Sequence, residues 1–595
     1  LQGFEQLKWQ RRKAWQQFRI RMKETYSKME LWNDSLKTIG GNFGMGIVAY
    51  FLFIKWLMYL NVLLFTIMFS FIILPTILLD IPEEELCINS NNSNSISCCS
   101  ELYQNITQES NSITDIGILE YTLLFYGVYS HISYDTSGIF FNLPLSYISA
   151  TIGIFILSLI AIVKSAAKSF KQRVIENEGQ FYQYCNLIFG GWDYCIHNEK
   201  SATVKHKALY NEMKAFLEAE RLEEERQNRT REETTKLFFM RLFINLIVLT
   251  VLCGCGMFIY YIFEFSFDQI STQINQTIAH LFFEFLPYIC IVALNLAIPF
   301  LFRYLVSLEN YSPSFVINIT LLRTVFLRLS SLIVLLTSFY RLIVTEVMDN
   351  ECTNTANRRP LCWETFVGQQ FFKLYITDLS LQFFMTFFVN FPRSLIAKHT
   401  ENKILRFFGE QEFDLSKHVL DVVYLQTVCW LGFFFAPLLP LVAIIGTFLL
   451  FYIKKFACLV NSIPSSKVYR ASKLNAFFML VLLISFILST IPVGYSIAEI
   501  LPSKSCGPFR DFRSVWSLLI VTFAEFPDWL QSILYFLSTA GFGVPAFVIL
   551  AVSIANKHMV TVLKNQLVLE GHDKQFLLNR LSAFIKQQQD QNKYH

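Results

Sequence analysis

Five stretches of the chain exceed the length of a bilayer-spanning helix and contain no Asp, Glu, Lys, Arg or His. A helix needs roughly 20 apolar residues to cross the hydrocarbon core, where lipid cannot hydrogen-bond an exposed backbone. The uncharged stretches are 56–79, 136–163, 242–263, 474–498 and 529–556. With 53% hydrophobic and 16% charged residues overall, the chain is predicted to use lipid as its solvent.

Other apolar segments are interrupted. The uncharged run 422–453 is too long for one helix, and Pro437 and Pro440 within it predict a tight helical hairpin. Three further segments carry isolated charges. Together these features predict an all-α, polytopic membrane protein with about ten spans. The predicted spans are 56–79, 141–163, 237–263, 278–306, 322–347, 366–392, 418–437, 438–460, 474–498 and 531–556.

The distribution of basic residues predicts the orientation. No Lys or Arg lies between Lys55 and Lys164, so the positive-inside rule places 80–140 on the extracellular or lumenal side. Alternation then puts 348–365 and 499–530 on that side too. The segments expected in the cytoplasm, with both termini, are 1–55, 164–236, 393–417, the basic loop 454–473 and 557–595. This topology suits the plasma membrane or a secretory-pathway (ER or Golgi) membrane.

Asparagine sequons and cysteines bear on the same topology. Asn91, Asn105 and Asn275 are the sequons predicted to face the glycosylating side. Six cysteines fall on that oxidising side, where Cys352 with Cys362 is the simplest disulfide, although the sequence does not choose among the connectivities. Residues 1–32 lack the apolar run of a secretory signal, and because the first residue is not Met we expect an upstream part.

Two cytoplasmic segments have helical periodicity. In 204–226 the apolar residues Leu209, Met213, Phe216 and Leu217 share one face, which predicts an amphipathic helix that needs a partner surface. The basic N-terminal segment pairs an apolar face with many charges, as expected for anionic lipid headgroups or a calmodulin-like protein. Packing onto the protein's own body is an equally simple interpretation.

Four consecutive predicted spans each carry a polar stripe. An ionisable group at mid-bilayer costs roughly 2.5 to 3.5 kcal/mol, so one that is retained there usually faces a bundle interior or a water-filled cavity. The stripes predict one shared pathway walled by the fourth to seventh spans. Its candidate lining residues are Glu284, Tyr288, Asn295, Arg328, Thr377, Asp378, Gln382, Asp414, His418 and Asp421.

A structural interpretation of these charges is also open. Lys417 can neutralise Asp421 at i,i+4, and Arg328 can reach the headgroups from near a helix end. For any single residue, a buried ion pair explains the charge as well as a pathway does.

The sequence contains none of the motifs by which common enzymes are identified. There is no phosphate-binding G-x-x-x-x-G-K-[ST] loop, no H-E-x-x-H and no G-x-S-x-G, and the nine His form no metal set. No cofactor and no metal is predicted. The net charge of +4 gives no case for nucleic acid.

One motif is specific. Cys362, Trp363, Glu364 and Thr365 are followed by Gly368 and Gln369, which resembles the C-W-E-T-x-x-G-Q signature of the transmembrane channel-like family. Shorter similarities cover nearly the whole chain, at 41–44, 191–195, 410–414, 435–440 and 506–509.

The resemblance implies several expectations. The fold would be the ten-span fold of the anoctamin/OSCA-like superfamily, in a homodimer joined through the tenth helix, with a groove walled by helices four to seven. Acidic groove positions of the family fall on Asp378 and Asp414, and fourth-helix lining positions fall on Asn295 and Leu296. The first cytoplasmic region, around 209–222, would bind a calcium- and integrin-binding protein. Gln370 stands where the family usually has Glu, so any role of that Glu is in doubt.

Three functions are consistent with these features. The first is a pathway for monovalent or divalent cations, gated by membrane tension as in sensory members, with lipid forming one wall. The second is a lipid scramblase, in which headgroups pass along the polar stripes. The third is a non-conducting regulatory or scaffold subunit. The fold alone does not decide among them.

Overall fold

The structure is a computed structural model, and it describes the chain in separate stretches. They are 31–43, 45–78, 122–131, 133–136, 139–177, 231–272, 277–309, 313–344, 362–399, 415–462, 471–510 and 512–538, with isolated positions at 17, 311, 360 and 413, between 188 and 225, and between 571 and 582. Residues up to Trp516 form one compact unit, and Ser517–His595 forms a second.

The described residues are almost entirely helical. The helices are α1 (Asn33–Phe43), α2 (Met45–Met68), α3 (Leu143–Asn177), α4 (Arg231–Thr272), α5 (Thr277–Ser307), α6 (Pro313–Val344), α7 (Trp363–Phe384), α8 (Phe391–His399), α9 (Leu415–Gly432), α10 (Leu439–Phe456), α11 (Ala471–Ala498), α12 (Val515–Ala524) and α13 (Asp528–Ser538). Helix α2 continues through a π-helical turn, Phe69–Ile73, into the short helix Leu74–Leu78. A small antiparallel hairpin, β1 (Ser133–Thr136) with β2 (Ile139–Asn142), precedes α3.

Eight helical stretches of the described chain are long and apolar enough to cross a membrane. They are Gly46–Leu78, Leu143–Ala167, Thr235–Ile270, Ala279–Ser307, Ile319–Val344, Trp363–Ile396, Leu439–Asn461 and Phe477–Ala498. The protein is therefore a polytopic membrane protein, and the elements in the described part of the chain are helices apart from the small hairpin. Most of the predicted tenth span, 531–556, lies outside the described residues, so the count of ten stays a prediction.

Two boundaries differ from the sequence-based prediction because charged residues are buried within the protein. The first span was predicted to begin after Lys55, but helix α2 runs through Lys55, whose side chain is buried. The sixth was predicted to begin at Phe366, but α7 begins at Trp363 and includes the buried Glu364. The segment 499–530, predicted as a loop, contains the apolar helix α12.

Helix α9 lies at the centre of the first unit. It packs against α2, α6, α7, α10 and α11, and nearly every residue from Val419 to Leu431 is buried. Its Trp430 contacts Phe486 of α11, with ring centroids 5.0 Å apart. Helix α9 carries Lys417, His418 and Asp421, so it is not one of the eight strongly apolar stretches. Surrounding helices rather than lipid cover its sides.

The chain turns sharply between α9 and α10, where the two prolines interrupt the long apolar run. Ala436 N donates to Gly432 O at 2.8 Å, and Phe435 O accepts from Tyr126 N at 3.1 Å. Helix α7 packs closely against this turn at Gly368. A Cβ at this position would lie 2.6 Å from Phe435 O. A glycine at this position therefore allows the backbones to meet closely.

The N-terminus of α7 is joined to the segment that follows α11 by hydrogen bonds and a disulfide. Trp363 Nε1 donates to Leu501 O at 3.1 Å, and Ser503 N donates to Glu364 Oε1 at 2.8 Å. Cys362 forms a disulfide with Cys506, across 144 residues of sequence.

This disulfide corrects the pairing of Cys362 with Cys352. Proximity in sequence favoured Cys352, but the hydrogen bonds of Trp363 and Glu364 bring the segment around Cys506 against α7 instead. Cys352 itself lies outside the described residues.

The second unit is described only in part. Its helix α13 is preceded by a turn in which Gln531 Nε2 donates to Phe526 O at 2.7 Å. Trp529 and Tyr535 on α13 are largely exposed within the chain.

Candidate functional site

Polar side chains from five helices meet in the interior of the first unit. At one end of this polar cluster, α5 contacts the first half of α7. Lys373 Nζ donates to Glu284 Oε1 in an ion pair, and the Tyr288 hydroxyl donates to Gln370 Oε1. Lys373, Gln370 and Tyr288 are buried, so both contacts are shielded from solvent.

At the other end, Asp421 of α9 binds two basic residues from different helices. Arg328 of α6 donates to Asp421 Oδ1 at 2.5 Å, and Lys454 of α10 donates to Asp421 Oδ2 at 3.0 Å. Lys454 Nζ also lies 2.9 Å from Nδ1 of His418. The Asp421 carboxylate therefore joins three helices, α6, α9 and α10.

Asp378 of α7 lies between the two ends. Its Oδ2 accepts from Gln382 Nε2 at 2.7 Å, and it interacts electrostatically with Asp421 and Arg328. It forms no ion pair with any basic residue that the structure describes. Across the polar cluster the three acids Glu284, Asp378 and Asp421 are matched in number by three bases, so the described charges balance.

Several polar atoms of the polar cluster, most of them on neutral side chains, are buried without a hydrogen-bond partner among the described residues. Tyr424, whose ring lies 5.6 Å below the Arg328 guanidinium, has its hydroxyl close to Asn295 and Ser331 without hydrogen-bond geometry. A buried polar atom without a partner costs free energy, so such atoms are sites for water or an ion. The unpaired atoms are Asn295 Nδ2 and Oδ1, Thr377 Oγ1, Gln382 Oε1, Tyr424 Oη, Arg328 Nε and Glu284 Oε2.

The structure answers two structural interpretations of the charges. Lys417 does not neutralise Asp421, because Asp421 is bound by Arg328 and Lys454 and Lys417 lies over the ring of Phe300 at 5.3 Å. Arg328 does not reach toward headgroups, since it is buried against Asp421.

Other candidate residues lie apart from the polar cluster or outside the described chain. Leu296 is half-buried on α5 and is apolar. On the amphipathic segment, Leu217 is exposed, whereas Leu209 and Met213 are half-buried. The candidates outside the described residues are Asp414, Phe216, Asn91, Asn105, Asn275 and Cys352.

Sequence reasoning missed Lys454, Gln370 and Tyr424. A signal for Lys454 was present, because Asp421 and Lys454 lie at nearly equal distances along the chain from Pro437. In an antiparallel hairpin, residues equidistant from the turn are level with each other. For Gln370 the family resemblance marked the position, where a Glu is usual, but not its contact with Tyr288. For Tyr424 we find no such signal in the sequence.

Comparison with known proteins supports the motif resemblance. A model of the TMC domain matches residues 362–472, from the start of α7 into α11. The voltage-gated chloride channel TMC4 of Mus musculus is 32% identical over 579 residues, which cover 95% of this chain and 82% of that protein. Transmembrane channel-like protein 8 of Homo sapiens is 30% identical over 608 residues, covering 98% of this chain and 82% of that protein. Transmembrane channel-like protein 5 of Homo sapiens is 28% identical over 596 residues, covering 96% and 54%. The chain belongs to the transmembrane channel-like family.

Proposed function

We propose that the chain forms an ion pathway through the polar cluster between α5, α6, α7 and α9. The observation that carries this proposal is the group of buried, unpaired polar atoms on Asn295, Thr377, Gln382 and Tyr424. They belong to three different helices, and inside a membrane such atoms are stabilised only by water, an ion or another polar group.

The ion pairs alone do not support a pathway. Glu284 pairs with Lys373, and Asp421 pairs with Arg328 and Lys454, as buried ion pairs do in many helix bundles. The unpaired amide and hydroxyl atoms are different, since no described residue forms a hydrogen bond with them. Two of them, on Thr377 and Gln382, lie on α7 next to Asp378 and one turn beyond it.

Within this proposal, Asp378 gives the pathway a preference for cations. It is the one acid of the polar cluster whose described partner is an amide rather than a base. A carboxylate that makes no direct ion pair can stabilise a passing cation and repel an anion.

Anion conduction is the second candidate. Three basic side chains, Arg328, Lys373 and Lys454, equal the acids in number, and a relative bears the name voltage-gated chloride channel TMC4. The relatives compared are named as channels or channel-like proteins, which supports ion conduction rather than an enzymatic function.

Reconstitution in planar bilayers or liposomes with a KCl gradient tests both candidates. We expect a current or flux, with or without applied tension, whose reversal potential lies toward that of K⁺. A reversal potential toward Cl⁻ would reject the cation preference and favour the anion candidate. No flux under either condition would overturn conduction by this chain alone, and a dithionite assay with fluorescent lipid then tests scrambling.

The variant Asp378→Asn sharpens this experiment. Removing the carboxylate should shift the reversal potential toward Cl⁻, since the amide keeps the shape and loses the charge. Asp34→Asn is the matched control, because the Asp34 side chain on α1 is fully exposed and is not part of the polar cluster. An unchanged reversal potential in Asp378→Asn would remove Asp378 from the pathway.

Partner binding is proposed separately. Segment 204–226 is proposed to hold a calcium- and integrin-binding protein, and the chain is proposed to dimerise. Deleting the segment should abolish pull-down of that protein while the membrane fold persists, and retained pull-down would reject the assignment.

A further inference from the structure

A cavity of about 700 Å³ lies between α7 and α10, and none of its lining residues belongs to the polar cluster. Its walls are mainly apolar, from Leu379 and Phe383 on α7 to Leu449 and Phe456 on α10. Phe383 and Leu449 are about half exposed within the chain, so the cavity opens where a membrane would supply lipid. Its volume lies within the roughly 300 to 1,000 Å³ of sites that bind small molecules.

Two π-helical turns close one end of this cavity. Met385–Asn390 follows α7, Ala457–Asn461 follows α10, and Asn461 Nδ2 donates to Thr386 O at 2.9 Å to join them. The rings of Phe387 and Phe456 meet there, with centroids 4.7 Å apart. π-Helical turns inside helices occur frequently at functional sites.

One charged residue lines the cavity. Lys455, at the C-terminal end of α10, is half-buried, and its Nζ donates to Ser35 Oγ of α1 at 2.8 Å. An ammonium has three donor hydrogens, so Ser35 leaves capacity for an anion. Beyond it, the chain continues into the basic segment 464–473, which the positive-inside rule assigns to the cytoplasmic side.

We propose that this cavity binds an anionic phospholipid of the cytoplasmic leaflet, with an acyl chain between α7 and α10 and the phosphate at Lys455. The apolar walls match the acyl chain, and the single ammonium lies near the C-terminal end of α10, before the basic segment 464–473, where we expect the headgroups. Anionic lipids are concentrated in the cytoplasmic leaflet, and basic residues near that surface attract them. This site stands whether or not the chain conducts ions.

Photo-labelling tests the proposal. The purified full chain is reconstituted in phosphatidylcholine vesicles with phosphatidylserine that carries a photoactivatable acyl chain, and labelled peptides are mapped by mass spectrometry. We expect labelling concentrated in 379–387 and 449–460, and less of it with phosphatidylcholine bearing the same acyl chain. Equal labelling by the two lipids would show ordinary annular lipid only and overturn the proposal.

Two variants test the binding of the acyl chain and of the headgroup separately. Leu449→Trp fills the cavity and should reduce labelling of both segments, whereas Ile445→Trp, on the exposed face of the same helix outside the cavity lining, should not. Lys455→Gln should raise the phosphatidylserine fraction for half-maximal labelling by roughly tenfold, the worth of a charged hydrogen bond.

The headgroup variant has two controls. Ser35→Ala removes the hydrogen bond to Lys455 but keeps the ammonium, and Lys455→Arg keeps the positive charge. Both should label like the unaltered chain, and all variants should elute as the same species from size exclusion. Unchanged labelling in both Leu449→Trp and Lys455→Gln would overturn the site.

Discussion

At the scale of single residues, Asp421 makes the contacts that determine the interior of the first unit. Its carboxylate binds Arg328 and Lys454, and all three side chains are nearly inaccessible to solvent. Removing one member of such a group leaves buried charge uncompensated. Local sequence spacing suggested a different partner, Lys417, because i,i+4 neighbours are visible in a sequence and cross-helix neighbours are not.

A substitution at Asp421 should therefore be costly. We expect Asp421→Asn to lower the free energy of unfolding by about 3 to 5 kcal/mol, since both bases lose their anion. Reversible unfolding in mixed micelles measures this, with the exposed Asp34→Asn as control. A loss within about 0.5 kcal/mol, the usual range for surface substitutions, would contradict the buried assignment.

A second residue-scale prediction concerns the contact between α7 and α10. A Cβ on Gly446 would lie 2.4 Å from the Tyr375 hydroxyl oxygen. Gly446→Ala should therefore destabilise the protein by about 1 to 3 kcal/mol through overpacking. Adding Tyr375→Phe, which removes the clashing oxygen, should recover part of the loss.

The matched control is Gly494→Ala on α11. A Cβ there meets nothing within 4 Å, and alanine favours a helix over glycine, so stability should hold or rise. If both alanine variants behave alike in a thermal melt, the close approach of α7 to α10 is wrong.

At the scale of elements, the lengths of the apolar segments predicted where the membrane-spanning helices lie. They did not predict that two of these helices extend past a charged residue. The hairpin of α9 and α10 follows from the prolines at 437 and 440. The burial of Lys55 in α2 and of Glu364 in α7 depends on neighbours distant in sequence, which hydropathy along one segment does not contain. The predicted pairing of Cys362 with Cys352 was wrong for the same reason, because its partner Cys506 is distant in sequence.

The disulfide provides an element-scale prediction. Cys506→Ser should lower the free energy of unfolding by about 2 to 4 kcal/mol, since the bridge closes a long loop between α7 and the segment after α11. Cys352→Ser should not break this bridge. Non-reducing peptide mapping measures the connectivity, and a peptide joining Cys352 to Cys362 would contradict the structure.

At the scale of the whole molecule, the first unit contains a buried polar cluster and, lined by other residues of α7 and α10, an apolar cavity that opens toward lipid. The sequence predicted that the fourth to seventh spans present polar stripes, and the structure brings Glu284, Arg328, Asp378 and Asp421 into one region. It could not predict that most charges are paired, because pairing across helices depends on their rotation and register. The claim of a pathway therefore depends on hydration of the neutral polar atoms.

Accessibility to a water-soluble thiol reagent tests that claim most directly. Asn295→Cys and Thr377→Cys in reconstituted protein, quantified peptide by peptide, should react with a charged methanethiosulfonate. Ile333→Cys, which is 53% exposed within the chain on α6 and would face lipid, should not react. If the Asn295 and Thr377 variants stay as unreactive as the Ile333 variant, with tension and without it, the interior is dry and no ion pathway runs through the polar cluster.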